Sequence, residues 1–278
     1  MSETSDAFTH ATLPSLDKRV LRLGVAGSFG IQEQDVHHAV ERGVNYWVWT
    51  PSFKKVTSAL RQVLHNDREQ HIVSLLGIAY TGGMVRRGVD KARRILGTDY
   101  LDCYKLGWLG RGSLLSGGIQ DTLLDLKDRG VVRSLGTSIH DRVRAGKLAR
   151  ESILDTFMIR YNAKHPGAEK DIFPHLSHRN PAIVAYTATS WRQLLKPVSI
   201  EMPPYPGDRP GVQPPPLTAA LCYRFCLSHA NVHVTLTGPA DRKQLDDNLD
   251  ALDAGPLSAN EDVWIREYGR KLKSKQLF

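Results

Sequence analysis

Four short patterns in this chain hold residue types that could do chemistry. His175 and His178 stand three apart in a stretch of helical pattern, which would set two imidazoles on one face. No third ligand at metal spacing accompanies them, so they do not argue for a metal site. His140 follows an apolar run and is a candidate general base, although a lone loop histidine is more often a surface residue. Gly107, Gly110, Gly112, Gly117 and Gly118 could cradle a phosphate, but no Gly-Lys-Ser or Gly-Lys-Thr follows them, and a flexible loop is the better reading. Cys222 and Cys226 are four apart rather than in CxxC spacing, and three cysteines are too few for a disulfide framework; they read as small core residues.

The elements that must position such residues alternate. In Gly43 to Phe53 a helix stops at Gly43, the aromatic and β-branched run Tyr46-Trp47-Val48-Trp49 reads as a buried strand, and Thr50-Pro51 ends it. Strand runs are also expected at Leu21–Ala26, His71–Ile78, Tyr100–Leu106, Val132–Ser138, Thr156–Tyr161, Ala182–Thr187 and Val232–Thr237, with amphipathic helices between them. Eight such pairs favour an α/β fold of the (β/α)8 TIM-barrel type, a single domain over residues 16–278, behind a flexible stretch 1–15 and a hairpin around Asp17-Lys18-Arg19. No G-x-G-x-x-G follows the first strand, which counts against a Rossmann domain. The eight prolines between Pro197 and Pro216 predict a stiff surface excursion, and Ser258-Ala259-Asn260-Glu261 has the spacing of a capping box opening a last, extra helix.

Composition narrows the function classes. The chain has 278 residues, 41% of them apolar, and no run near the roughly 20 apolar residues that span a bilayer. Its first residues lack a secretory pattern, so a cytoplasmic protein without membrane attachment is expected. The formal charge of +8 is scattered over many elements, which reads either as a solvated face or as a complement to an anionic ligand. No aromatic-basic patch or reader motif points to nucleic acid.

At this point the motifs resemble those of the aldo-keto reductases. Gly43, Asn45 and Pro51 match a G-I-N-x-x-D-T-A-x-x-Y-G signature. Arg68 to Leu76 resembles R-x-x-x-x-I-x-T-K, and Tyr100 to Trp108 resembles Y-I-D-L-Y-x-L-H-W. Gly136-Thr137-Ser138-Ile139 resembles G-V-S-N, Met158 to Asn162 resembles Q-x-x-Y-N, Ala185-Tyr186-Thr187 resembles A-Y-S, and Gly238 to Asn248 resembles G-A-x-x-x-x-Q-L-x-E-N. The resemblance runs from about Leu21 to about Leu252.

On this alignment the catalytic aspartate, tyrosine, lysine and histidine positions of the family hold Val48, Phe53, Leu76 and Gly107. None of these side chains can donate a proton to a carbonyl. The resemblance implies NADP as cofactor, with Ser138, Tyr186, Arg242, Gln244, Asp247 and Asn248 as its binding residues. It also implies a weakened nicotinamide end, because Ile139 and Met158 stand where amide partners belong. If Gly107 faces inward like the family histidine, strand alternation turns Lys105 inward too. There desolvation would lower its pKa, and with Arg160 as a cationic neighbour it could form a replacement reactive or anion-binding centre at the mouth. Two functions follow as expectations: an NADP(H)-binding oxidoreductase-like protein without standard carbonyl reduction, or a pseudoenzyme barrel that binds or scaffolds, with a small molecule, a nucleotide or a protein as partner.

Overall fold

In the computed structural model of the chain, residues 3–27, 29–197, 200–209 and 216–275 are described. Helix α1 (Glu3–Thr9) leads into an antiparallel hairpin of β1 (His10–Leu13) and β2 (Lys18–Leu21). Strands and helices then alternate as β3 (Leu23–Ala26), α2 (Glu33–Glu41), β4 (Tyr46–Trp49), α3 (Lys54–Asn66), β5 (Ile72–Gly77), α4 (Gly82–Leu96), β6 (Leu101–Leu106) and α5 (Gly117–Asp128). They continue through β7 (Val132–Ile139), α6 (Arg142–Glu151), β8 (Thr156–Arg160), α7 (Ala168–Asp171), β9 (Ala182–Tyr186), α8 (Ala219–Ser228), β10 (Val234–Thr237) and α9 (Arg242–Leu249), and α10 (Ala259–Lys275) follows. Strands β3 to β10 pair in parallel in chain order. Pairing of β10 with β3, Thr235 opposite Leu23, closes the barrel. The (β/α)8 architecture is therefore as the sequence pattern leads one to expect.

Alternation along each strand divides the apolar residues between two cores. Tyr46, Val48, Ile72, Met158, Val184 and Val234 meet inside the barrel, while Trp47, Trp49, Val73, Leu75 and Leu106 face the helices. Each such side chain contributes about 1.5–3 kcal/mol by its removal from water. Leu13 and Val20 of the hairpin join the inner set and plug the amino end of the barrel. The carboxyl end is left as the mouth.

Three details differ from the sequence expectations. The start of the chain is not a flexible stretch up to residue 15: β1 pairs with β2, the turn lies over residues 14–17, and Lys18 and Arg19 belong to the second strand. The reason is burial. Phe8 and Leu13 have apolar sites to fill, and the Arg22 guanidinium donates to the carbonyls of Ala7, Phe8, Leu227 and Val232 at 2.6–3.2 Å, tying α1 to the end of α8. Burial holds the Arg22 pKa down at about 10.

Second, the glycine-rich loop after β6 is pinned rather than loose. Leu109 N–H donates to Ser138 O at 2.8 Å, Ala79 N–H donates to Ser113 Oγ at 3.0 Å, and Leu114 N–H donates to Ala79 O at 3.2 Å. Third, the proline-rich excursion falls partly outside the described residues, at 198–199 and 210–215. Its described part docks on α10, where Trp264 Nε1–H donates to Pro203 O at 2.9 Å and the Tyr205 ring meets Trp264 edge-on. The capping box at Ser258 and Glu261 forms in both directions.

Candidate functional site

The carboxyl ends of the strands and the loops that leave them form the mouth, where barrels of this type keep their chemistry. Below it, Lys105 of β6 does turn inward. It is fully buried, and its stem crosses the interior so that Nζ donates to Tyr46 Oη and to Ser74 Oγ, each at 2.5 Å. Gly136 makes this path possible: a Cβ there would stand 3.0 Å from Lys105 Cγ.

The ammonium therefore points to the floor of the barrel and not to its mouth. The expected downward pKa shift does not occur either. Burial pulls the Lys105 pKa down, but the neighbouring Tyr46 and Cys103 outweigh it and the net direction is up. Burial likewise raises the Tyr46 pKa, against the opposing pull of Lys105. A buried, proton-retaining amine with two hydroxyl partners is a structural group. Lys105→Met is accordingly expected to change the unfolding free energy by less than about 1.5 kcal/mol, because an apolar stem of similar volume avoids the desolvation cost and leaves Tyr46 and Ser74 to pair with each other. Urea denaturation of the variant checks this, and a loss above about 3 kcal/mol would contradict it.

Above this floor, Val48 and Leu76 share the inner apolar set, and Gly107 adjoins them, since a Cβ on Gly107 would lie 3.4 Å from Leu76 Cδ1. Phe53 stands in the loop after β4, as the residue before α3, and its ring packs with the outer core. Three of the four positions are thus gathered on one side of the mouth, and the fourth turns its ring away.

The opposite side is polar. Tyr186 at the end of β9 reaches His140, just past β7, with its hydroxyl 3.1 Å from Nε2 and 3.2 Å from Nδ1. Burial pushes the Tyr186 pKa up to about 12 against the pull of the Arg160 charge. Burial and the charges of Arg160 and Arg111 push the His140 pKa down. Ser138 Oγ is buried without a hydrogen-bond partner among the described residues, although it lies near enough to Tyr186 to favour that phenol's ionisation. Ser138 and Tyr186 are therefore brought together, with His140 added. Ile139 instead packs in the outer core and Met158 in the inner one, and neither offers a hydrogen bond.

Arg242, Gln244, Asp247 and Asn248 form a second group, on α9, and each is engaged within the protein. Arg242 Nε donates to Asp35 Oδ1 at 3.0 Å, Lys243 pairs with Asp247 at 2.5 Å, Gln244 Oε1 accepts from Ala240 N–H, and Asn248 donates to Thr237 Oγ1 at 2.9 Å. Asp241 caps the helix by accepting from Gln244 N–H at 2.8 Å. Phe29, from the loop after β3, rests against Gly238.

A model of the aldo/keto reductase family matches residues 29–205. The chain belongs to the aldo-keto reductase family. Among solved structures, this family member is similar to an aldo-keto reductase from Bacillus halodurans in its holo form, with TM-score 0.76 and 21% identity over 94% of this chain and 96% of the other. It is also similar to a glycerol dehydrogenase from Gluconobacter oxydans, with TM-score 0.74 and 18% identity over 96% and 97% of the two chains. At these identities the likeness carries the fold alone. A comparison with curated proteins gave no significant match. Among the described residues, no helix of the chain is long and apolar enough to cross a membrane.

One feature of the mouth had no signal in the motifs. A cavity of about 460 Å³ opens between the loop after β6, the start of α6 and the end of β8, with Trp108, Arg111, His140, Asp141, Arg144 and Arg160 around it. Arg160 thus faces this cavity rather than keeping company with Lys105. The signal was present only as scattered charge, because the three arginines come from three different elements.

Proposed function

We propose that this member of the aldo-keto reductase family binds a small ligand or nucleotide at its barrel mouth and does not carry out ordinary carbonyl reduction. The observation that supports this reading is the composition of the β4–β6 side of the mouth. Val48, Leu76 and Gly107 meet there, Phe53 packs elsewhere, and the inward ammonium of Lys105 is sealed below them. None of the side chains at Val48, Phe53, Leu76 and Gly107 holds a proton that a substrate carbonyl could take.

The residues present fit NADP unevenly. The α9 group has the right donors and acceptors for a 2′-phosphorylated adenosine, provided Arg242, Asp247 and Asn248 exchange their internal partners for it. The nicotinamide end fits poorly, because Ile139 and Met158 are buried apolar side chains and only the Tyr186 phenol and the Ser138 hydroxyl are left to meet it among the residues expected there. Loss of two amide hydrogen bonds removes roughly 1 kcal/mol each.

Calorimetric titration with NADP, NADPH and adenosine 2′,5′-bisphosphate tests this. The bisphosphate is expected to bind within about tenfold of NADP. A preference for NADP above about a hundredfold would mean that the nicotinamide is held after all. Absence of binding of any of the three would remove the nucleotide and leave a barrel that binds another small molecule or a protein.

A further inference from the structure

We propose that the rim between β6, β7 and β8 binds a compact organic dianion, a phosphate monoester or a dicarboxylate, on Arg111, Arg144 and Arg160, with Trp108 as its apolar wall. The proposal rests on the reading that the mouth takes a ligand, and it places that ligand's charge. Three observations carry it.

The first is charge without a partner. At the closed end of the barrel the cations are paired: Lys18 and Arg68 with Asp102, and Arg133 with Glu69. Around the cavity the guanidiniums of Arg111, Arg144 and Arg160 have no ion pair or hydrogen bond among the described residues. Among the described residues of the wall the one carboxylate is Asp141, which is occupied as the cap of α6, where its Oδ1 accepts from Arg144 N–H at 3.0 Å. Three cations less one anion leave a formal charge of +2, the complement of a dianion. Guanidiniums grouped without counter-charge repel one another, and a phosphate or paired carboxylates relieve that with charge-assisted, bidentate hydrogen bonds.

The second is shape. The cavity volume lies in the range of small-molecule sites. Arg144 reaches across to the loop after β6, where Gly110 has φ +90° and a Cβ would stand 3.1 Å from Arg144 Nη1; a side chain at 110 would push the guanidinium away. Trp108 is held at φ +52° and is 53% exposed, a costly backbone state for a bulky residue that turns an indole toward the cavity.

The third is separation from α9. In the closed strand order β10-β3-β4-β5-β6-β7-β8-β9, the strands β6 and β7 lie across the barrel from β10 and β3, and β8 is two strands from β10. An adenosine phosphate on α9 would not fill this cavity. His140, kept neutral by its surroundings, stands beside the arginines with Tyr186 as its partner and can exchange a hydrogen bond with the ligand's uncharged part.

Calorimetry with phenyl phosphate, phthalate, inorganic phosphate and benzyl alcohol, on wild type, Arg144→Met and Arg160→Met, tests the proposal. Phenyl phosphate or phthalate is expected to saturate one site, more tightly than inorganic phosphate, and benzyl alcohol is expected not to bind. Whichever of the two aromatic anions wins tells phosphate from carboxylate as the preferred charge. Each variant should weaken the bound anion about tenfold or more, the loss of one charge-assisted hydrogen bond, while its affinity for adenosine 2′,5′-bisphosphate and its thermal midpoint stay as in wild type. No saturation by either aromatic anion at about 10 mM, equal binding of benzyl alcohol, or unchanged affinity in both variants would overturn the proposal. Because the bisphosphate is read separately, failure of the α9 site and failure of this one give different results.

Discussion

Purified wild-type protein given NADPH and a simple aldehyde is expected to consume the cofactor no faster than the protein-free blank. A positioned general acid contributes about 10²- to 10⁴-fold in rate, and that contribution is lost where Phe53 stands. The loss is not local to one side chain. Leu76 supplies no ammonium to acidify a phenol at position 53, Gly107 supplies no imidazole, and Val48 no carboxylate.

Nor does Lys105 replace them, since its ammonium is committed to Tyr46 and Ser74 below Val48 and Leu76. Phe53→Tyr alone is therefore expected to stay inactive. Its ring packs with the outer core, and even a reoriented phenol would keep an ordinary pKa. Adding Gly107→His meets a further obstacle, because a Cβ at 107 comes within 3.2 Å of Gly77 O. The measurement is NADPH absorbance with a panel of aldehydes; turnover that stays with the protein through two unlike columns would show that some other group donates the proton.

Features that depend on order along the chain were legible in the sequence, and features that depend on distant partners were not. Strands buried on both faces read as apolar runs, so β5 and β6 appear within a residue of their expected starts, and strand parity alone sends Lys105 inward. Where its Nζ goes is another matter. Tyr46 lies 59 residues away, and only the barrel's closure makes it a neighbour. The upward pKa direction follows from that neighbour and could not be read from burial.

The arginine-lined cavity was invisible for the same reason. Arg111, Arg144 and Arg160 belong to a loop, a helix and a strand end, and each looks like surface charge until the loop after β6 is pinned to Ser138 and Ala79. The folded start of the chain was missed because β1 has no apolar run: its burial pattern depends on Leu13 finding the barrel's open floor.

The second large effect concerns acid. Lowering the pH from 7 toward 4 is expected to cost the native state about 3 kcal/mol through His233 alone. His233 links β9 to the residue before β10: its side-chain Nδ1 accepts from Ile183 N–H at 3.1 Å, and its backbone N–H donates to Ile183 O at 3.0 Å. Burial, helped by the charge of Arg22 and opposed by a backbone hydrogen bond at Asn231, lowers its pKa from 6.5 to about 4.

The sign follows from proton counts. Between about pH 4 and 6.5 the unfolded chain holds the proton and the native chain does not, so stability is complete above 6.5, falls as pH falls, and levels off once the native histidine is protonated too. Protonation also converts the Nδ1 acceptor into a donor facing the Ile183 N–H, which removes that link. His165, lowered to about 4 as well, adds to the loss in the same direction. His233→Asn isolates the effect, because an amide oxygen can take the Nδ1 position without titrating. The variant should be weaker at pH 7 from the space its smaller side chain leaves, yet lose about 3 kcal/mol less than wild type between pH 7 and 4. Urea midpoints at several pH values measure the difference, and identical pH dependences in the two proteins would show that His233 already carries its proton at neutral pH or is solvated enough to keep an ordinary pKa.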